Sequence, residues 1–295
     1  MARVFSLSMH PTRFSRDLRA LQVPQLFLKN LPENLFRLSY GSGRSYISVT
    51  IMATTLQPQC SKSASHFFST KPSNEVLEIW RNADAVCFDV DSTVCLHEGI
   101  DELADFCGAG KAVSEWTNKA MSGSVPFEEA LAARLSLFSP SLSQLQDFLE
   151  KRPPRLSPGI AELINKLKAS NTDVYLISGG FRQMIKPVAL QLGIPGENIF
   201  ANQLVFGSSG EFLGFDITEF TSRSGGKAVA VQHIRKVHGY KSLIMIGDGA
   251  TDLEARMPGG ADLFICYGGV LLREAVAAKA DWVVLSFEDL SNALK

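Results

Sequence analysis

Five short, nearly continuous apolar runs punctuate the chain, at residues 83–90, 173–177, 242–246, 262–266 and 282–285. Stretches of helical periodicity separate them, as in 160–167, where Ile160, Leu163, Ile164 and Leu167 fall at i, i+3, i+4 and i+7. Runs that are apolar on both faces predict strands of a parallel sheet covered by helices on either side, and the alternation predicts an α/β, doubly wound architecture. Ligands of such a sheet gather at the carboxyl ends of its strands.

Two interruptions stand out. About eighty residues separate the first and second runs, far more than one crossover helix needs. They read as helices over 100–107, 113–121, 127–138 and 142–149, ending at Pro153-Pro154, and so predict a small helical cap insertion over the carboxyl ends of the sheet. The stretch 204–213, with a Gly/Ser turn, predicts a short β-hairpin insertion. The expected organisation is a segment 1–71, an α/β core over 72–98 and 155–295, and a helical cap over 99–154, with Gly99 and Pro153-Pro154 as candidate hinges.

Composition changes this picture mainly at the amino end. The 295 residues are 45% hydrophobic and 20% charged, with a formal net charge of -1, which gives no sign of a nucleic-acid-binding surface. Residues 1–71 nevertheless hold nine of the 29 basic residues, only two of the 30 acidic ones, and 16 Ser/Thr. That balance fits an organelle transit peptide, chloroplast in preference to mitochondrion, or else a basic tail. No run of 18 apolar residues predicts a membrane span. The five cysteines contain no CxxC pair and read as free thiols.

The chemistry concentrates where the apolar runs stop. The first ends in Asp89-Val90-Asp91, two acids at i and i+2 whose mutual repulsion calls for a cation, a shared proton or both; the plainer reading is a pair of solvated turn residues. The second ends in Ser178-Gly179-Gly180, either an anion cradle or a serine-capped turn. Lys227 follows Gly225-Gly226 at a helix start, where a cation opposes the helix dipole unless an anion or solvent compensates it. The third core run ends in Gly247-Asp248-Gly249-Ala250-Thr251-Asp252, adding two carboxylates. By topology, four carboxylates, a lysine and a hydroxyl converge, and such an acidic pocket calls for a hard cation such as magnesium. Together they point to a phosphoryl-transfer site.

These motifs, in this order, resemble the haloacid dehalogenase superfamily and, within it, the phosphoserine phosphatase family of plant plastid type, over about residues 75–295. The resemblance implies a Rossmann-like core, Mg2+, and O-phosphoserine as substrate. It implies Asp89 as the nucleophile and Asp91 as the acid/base. Metal ligation falls to Asp89, the main-chain carbonyl of Asp91, and Asp248, with Asp252 ordering the metal's waters. Ser178, Gly179, Gly180, Lys227 and Thr251 fall to the phosphate. In the insertion, Arg134 lies on the apolar stripe of Phe127, Leu131, Leu135 and Phe138. From pattern alone it is a snorkelling side chain as readily as a site residue, but the family's arginine there meets the substrate carboxylate. Glu98 likewise resembles the acid that receives the ammonium, and Met121 the apolar wall beside it.

Other functions stay open at this stage: phosphatase action on another small phosphomonoester, or a non-hydrolytic regulator that binds phosphorylated ligands. A homodimer also remains open. Gly108-Ala109-Gly110-Lys111 is rejected as a Walker loop because no strand precedes it, and His97, lacking metal-site companions, reads as structural.

Overall fold

The computed structural model describes residues 71–121 and 125–294, apart from the side chains of 118–121. The expected transit segment, Lys71 aside, lies outside the described residues. The core begins with α1 (Asn74–Arg81), whose first turn is capped by the Ser73 hydroxyl, and β1 (Ala85–Phe88). The four helices of the insertion follow: α2 (Gly99–Phe106), α3 (Gly110–Met121), α4 (Phe127–Ser136) and α5 (Leu142–Lys151). Then come α6 (Ile160–Ala169), β2 (Asp173–Phe181), α7 (Arg182–Gln191), β3 (Ile199–Asn202) and the antiparallel pair β4 (Leu204–Phe206) and β5 (Phe212–Phe215). The chain closes with α8 (Gly226–His238), β6 (Leu243–Gly247), α9 (Ala250–Leu253), β7 (Leu263–Tyr267), α10 (Glu274–Ala277), β8 (Trp282–Val284) and α11 (Phe287–Ala293).

Six strands form one parallel sheet in the order β3-β2-β1-β6-β7-β8. Alternate side chains of each strand enter different cores, as the two-residue strand period dictates. Val86, Phe88, Ile244 and Ile246 pack with Trp80, Leu163, Val188 and Leu290 on one face. Ala85, Cys87, Met245 and Phe264 pack with Val231 and Ile234 of α8 on the other. The helices of the long insertion have an apolar cluster of their own, built from Ile100, Leu103, Leu131, Leu135, Leu145 and Phe148, which also takes in Phe181 of β2 and Leu204 of the hairpin.

Two features depart from expectation. The sheet has a sixth strand, β3, at its edge. Its segment Ile199-Phe200-Ala201-Asn202 is short and ends in a polar side chain, so it carries too weak an apolar signal to read as a buried strand. Strand β2 also continues through Ser178-Gly179-Gly180 to Phe181, with a register shift against β3 between Ser178 and Phe181, so these residues are not the serine-capped turn that was one of their two readings. The two glycines give the backbone the freedom to make that irregularity. The thiols of Cys87, Cys95 and Cys266 are buried and unpaired with one another, as expected, and Cys107 is half-buried.

The tightest aromatic packing lies under β7. Phe287 is fully buried, stacks on Tyr267 at 4.1 Å between ring centroids and meets Phe88 edge-on at 6.3 Å. Phe287→Ala is expected to destabilise the chain by about 3–5 kcal/mol, read as a shift in the urea unfolding midpoint with the slope unchanged.

Candidate active site

The strand order reverses direction at β1 and β6, and both deliver carboxylates at their carboxyl ends, the crevice where this architecture places ligands. Directly after β1 the chain turns through Val90–Val94, with Ser92 in the left-handed region at φ 55°, a conformation that costs a non-glycine residue roughly 1–3 kcal/mol. The turn is functional in geometry. It aims the buried Ser92 hydroxyl at Glu98, whose Oε1 accepts at 2.9 Å, and sends Asp91 toward α2 and β2.

A cavity of about 930 Å³ opens over these ends. Asp89, Asp91, Lys227, Asp248 and Thr251 line one part, with Gly179 and Gly180 beside them; Glu98, Thr117, Phe127, Leu131 and Arg134 line the part formed by the insertion. Of the twelve site residues expected from sequence, nine line this cavity and three do not: Ser178, Met121 and Asp252, the last fully buried against Lys227. Ser178 is fully buried and absent from the cavity wall: its hydroxyl donates to Asp91 Oδ2 at 3.2 Å and accepts from the Gly180 amide at 2.8 Å. Met121 ends α3, and its side chain lies outside the described residues.

Lys227 is the electrostatic hub. Its Nζ donates to Asp89 Oδ1 at 2.6 Å and to Asp252 Oδ1 at 2.7 Å. Burial opposes its charge, and Asp252 and Asp89 together outweigh that and raise its pKa. The two carboxylates therefore supply the compensation that a cation at a helix start requires. They leave a deficit elsewhere. Burial, followed by repulsion from Asp252, raises the Asp89 carboxyl well above the usual range, and the same two causes push Asp248 up to about 6 despite Arg273, whose Nε donates to it at 3.0 Å.

Oxygens of Asp89, Asp248 and Asp252 lie within 4.8 Å of one another, all from buried residues. An all-carboxylate donor set under mutual repulsion fits a hard divalent cation. The Asp91 carboxylate is not part of this cluster: its Oδ1 accepts from the Gly99 amide at 2.7 Å and its Oδ2 from Ser178. Only its carbonyl remains for the ligand role expected of it. Glu98, at the start of α2, is raised to about 7, first by burial and then by Asp91, with the Ser92 hydrogen bond acting the other way.

Glycine identity is decisive at Gly247. A Cβ there would collide with the Asp252 carboxyl, which tucks under the strand end to accept from the Gly249 amide at 2.9 Å. Gly179 is similarly required: an added Cβ would lie 2.9 Å from the Phe127 ring, which comes from the insertion. Sequence reading missed Phe127 as a site residue because it was counted as apolar stripe. It also missed Arg273, although Gly268-Gly269 after β7 marks another strand end. Thr117, a polar side chain mid-helix, gave no signal.

Residues 83–256 match the haloacid dehalogenase-like hydrolase model, and the chain belongs to that family. Within it the relatives are phosphoserine phosphatases. The chain is 70% identical over 243 residues to the chloroplastic phosphoserine phosphatase of Arabidopsis thaliana, covering 82% of each. It is 49% identical over 222 residues to the phosphoserine phosphatase of Bos taurus, covering 75% of this chain and 98% of that one. A solved phospho-aspartyl intermediate analogue of phosphoserine phosphatase superposes with a TM-score of 0.62 at 26% identity, over 72% of this chain and 99% of that one.

The raised carboxyls fix a pH dependence. A folded-state pKa above the unfolded value means that the folded chain holds the proton more tightly. Without cation, this contribution favours the fold below the unfolded carboxylate value, near 4, and is lost as pH rises through about 6, the folded value of Asp248. A bound divalent cation reverses the penalty. Added divalent cation is therefore expected to raise the thermal unfolding midpoint several degrees more at about pH 8 than at about pH 5, as scanning calorimetry would measure.

Proposed function

We propose that this chain is a magnesium-dependent phosphatase that converts O-phospho-L-serine to L-serine and phosphate, the last step of phosphorylated serine biosynthesis, in the chloroplast. One observation carries the reading: Glu98, just ahead of the insertion, and Arg134, a buried arginine within it, share a cavity with the Asp89–Lys227 pair. A substrate with phosphate at one end, and ammonium and carboxylate at the other, matches both sets of charges. The identity to phosphoserine phosphatases supports the same substrate.

In this reading an Asp89 carboxylate oxygen attacks phosphorus and the bond from phosphorus to the seryl oxygen breaks, while Asp91 gives that oxygen its proton. Water then attacks the aspartyl-phosphate, Asp91 takes its proton, and Asp89 leaves as carboxylate. The Gly99 amide holds the Asp91 carboxyl in place for both transfers, while Ser178 donates to it only until phosphate binds. Lys227, the Gly179 and Gly180 amides, Ser178 and Thr251 stabilise the phosphoryl oxygens, and Ser178 must exchange its bond to Asp91 for one to phosphate. Asp89, Asp248 and the Asp91 carbonyl would hold magnesium, with Asp252 ordering the metal's waters, and the cation would offset the carboxylate and phosphate charges. Glu98 receives the ammonium, Arg134 the carboxylate, and Met121 borders the seryl carbon chain. Residues 99–154 act as the cap that excludes water from the reaction.

The full chain with magnesium is expected to release phosphate from O-phosphoserine in a malachite-green assay. Asp89→Asn should lower kcat at least about a thousandfold; comparable rates from the two proteins would remove Asp89 as nucleophile. A second expectation concerns Glu98. Protonation below about pH 7 removes the charge that meets the ammonium. KM for phosphoserine should thus climb as pH falls from about 8 to about 6, and a Glu98→Gln profile should be higher and flatter.

A further inference from the structure

Arg134 is only 7% exposed, yet it has no ion-pair partner among the described residues. Its Nε donates to the Ala130 carbonyl of its own helix at 3.2 Å, and its NH1 to Thr117 Oγ1 at 3.4 Å. Asp101, in the first turn of α2, is close enough for its charge to favour the guanidinium cation, against the effect of burial. Between the two stands Thr117, itself buried, whose hydroxyl donates to Asp101 Oδ1 at 2.8 Å.

A threonine hydroxyl has one hydrogen. A carboxylate can only accept, so Asp101 claims that hydrogen and leaves the Thr117 oxygen to accept from Arg134. The chain Asp101–Thr117–Arg134 therefore has a fixed polarity and runs across α2, α3 and α4 toward the cavity. It also keeps a carboxylate from closing directly on the guanidinium, which would neutralise the charge offered to a ligand.

We propose that Thr117, ordered by Asp101, is a positioning residue for substrate specificity. It aims Arg134 into the cavity and, as a neutral spacer, reserves the guanidinium charge for the carboxylate of an amino-acid phosphate. The inference rests on the substrate reading above. It assigns discrimination between phosphoserine and phosphomonoesters lacking a carboxylate to a residue that need not touch either.

The test compares Thr117→Val and Thr117→Ser with the unaltered full chain. O-phosphoserine is the substrate, and phosphoethanolamine, which lacks the carboxylate, is measured as a competitive inhibitor. Thr117→Val is expected to raise KM for phosphoserine about tenfold, the equivalent of one bidentate-quality contact, with kcat within about threefold. The inhibition constant of phosphoethanolamine should stay within about twofold, and Thr117→Ser should restore the unaltered values. Equal shifts for both ligands, an unchanged phosphoserine KM, or failure of serine to rescue would overturn the proposal. Should Thr117→Val not fold, Asp101→Asn keeps the volume and removes the charge that orders the hydroxyl. It should raise phosphoserine KM severalfold, and no rise would be equally fatal. Absence of phosphoserine turnover in the unaltered chain would instead refute the substrate reading itself.

Discussion

A buried lysine between two carboxylates is the constraint on which the site depends. Asp89 follows β1, Asp252 belongs to the loop and helix after β6, and Lys227 opens α8, so three distant segments are fixed by one ammonium group. The ion pairs are short and largely desolvated, and removing one partner from such a set usually costs 3–5 kcal/mol because it strands the others. Yet the lysine does not balance the charge present. Asp89 and Asp248 remain reluctant to ionise, and the folded chain holds a preformed carboxyl cluster whose natural complement is a divalent cation.

The same backbone that presents the nucleophile also organises recognition. The left-handed turn at Ser92 binds Glu98, and the Gly99 amide that opens α2 holds Asp91. The acid/base group and the start of the insertion are therefore set by a single loop. On the far side, the Phe127 amide donates to the Ser224 hydroxyl, and Glu128 accepts from the Ser224 amide and hydroxyl at 3.1 and 3.0 Å, two residues before α8 begins. The first turn of α4 is thereby tied to the segment that delivers Lys227. Movement of the insertion would be felt at the phosphate end as well as at the amino-acid end.

Much of this was legible in the sequence because the informative residues sit at ends of strongly apolar runs, where type and position reinforce each other. Asp89, Asp91, Asp248, Asp252 and Lys227 could be placed together from the parallel-sheet rule alone. The chain resisted reading where structure arises from long-range packing. Strand β3 is defined by its partner β2 and not by its own four residues. The Ser178 hydroxyl was read as part of an anion cradle, but which group it faces depends on Asp91, far away in sequence. Thr117 looked like an ordinary polar position because its two partners come from α2 and α4. Gly247 stood inside a recognised motif, yet the reason for it, the Asp252 carboxyl beneath it, is purely spatial.

The central place of β1 has a consequence for folding. It is the first strand among the described residues, and its neighbours are β2, which pairs Ala85 with Asp173, and β6, which pairs Ala85 with Leu243. Residue 243 lies far beyond residue 85 in the chain, and until it is in place one edge of β1 presents unpaired backbone N–H and C=O groups. Exposed strand edges recruit other chains. Completion of the sheet therefore waits on a strand far along the chain, and the unpaired edge of β1 is covered only when β6 docks.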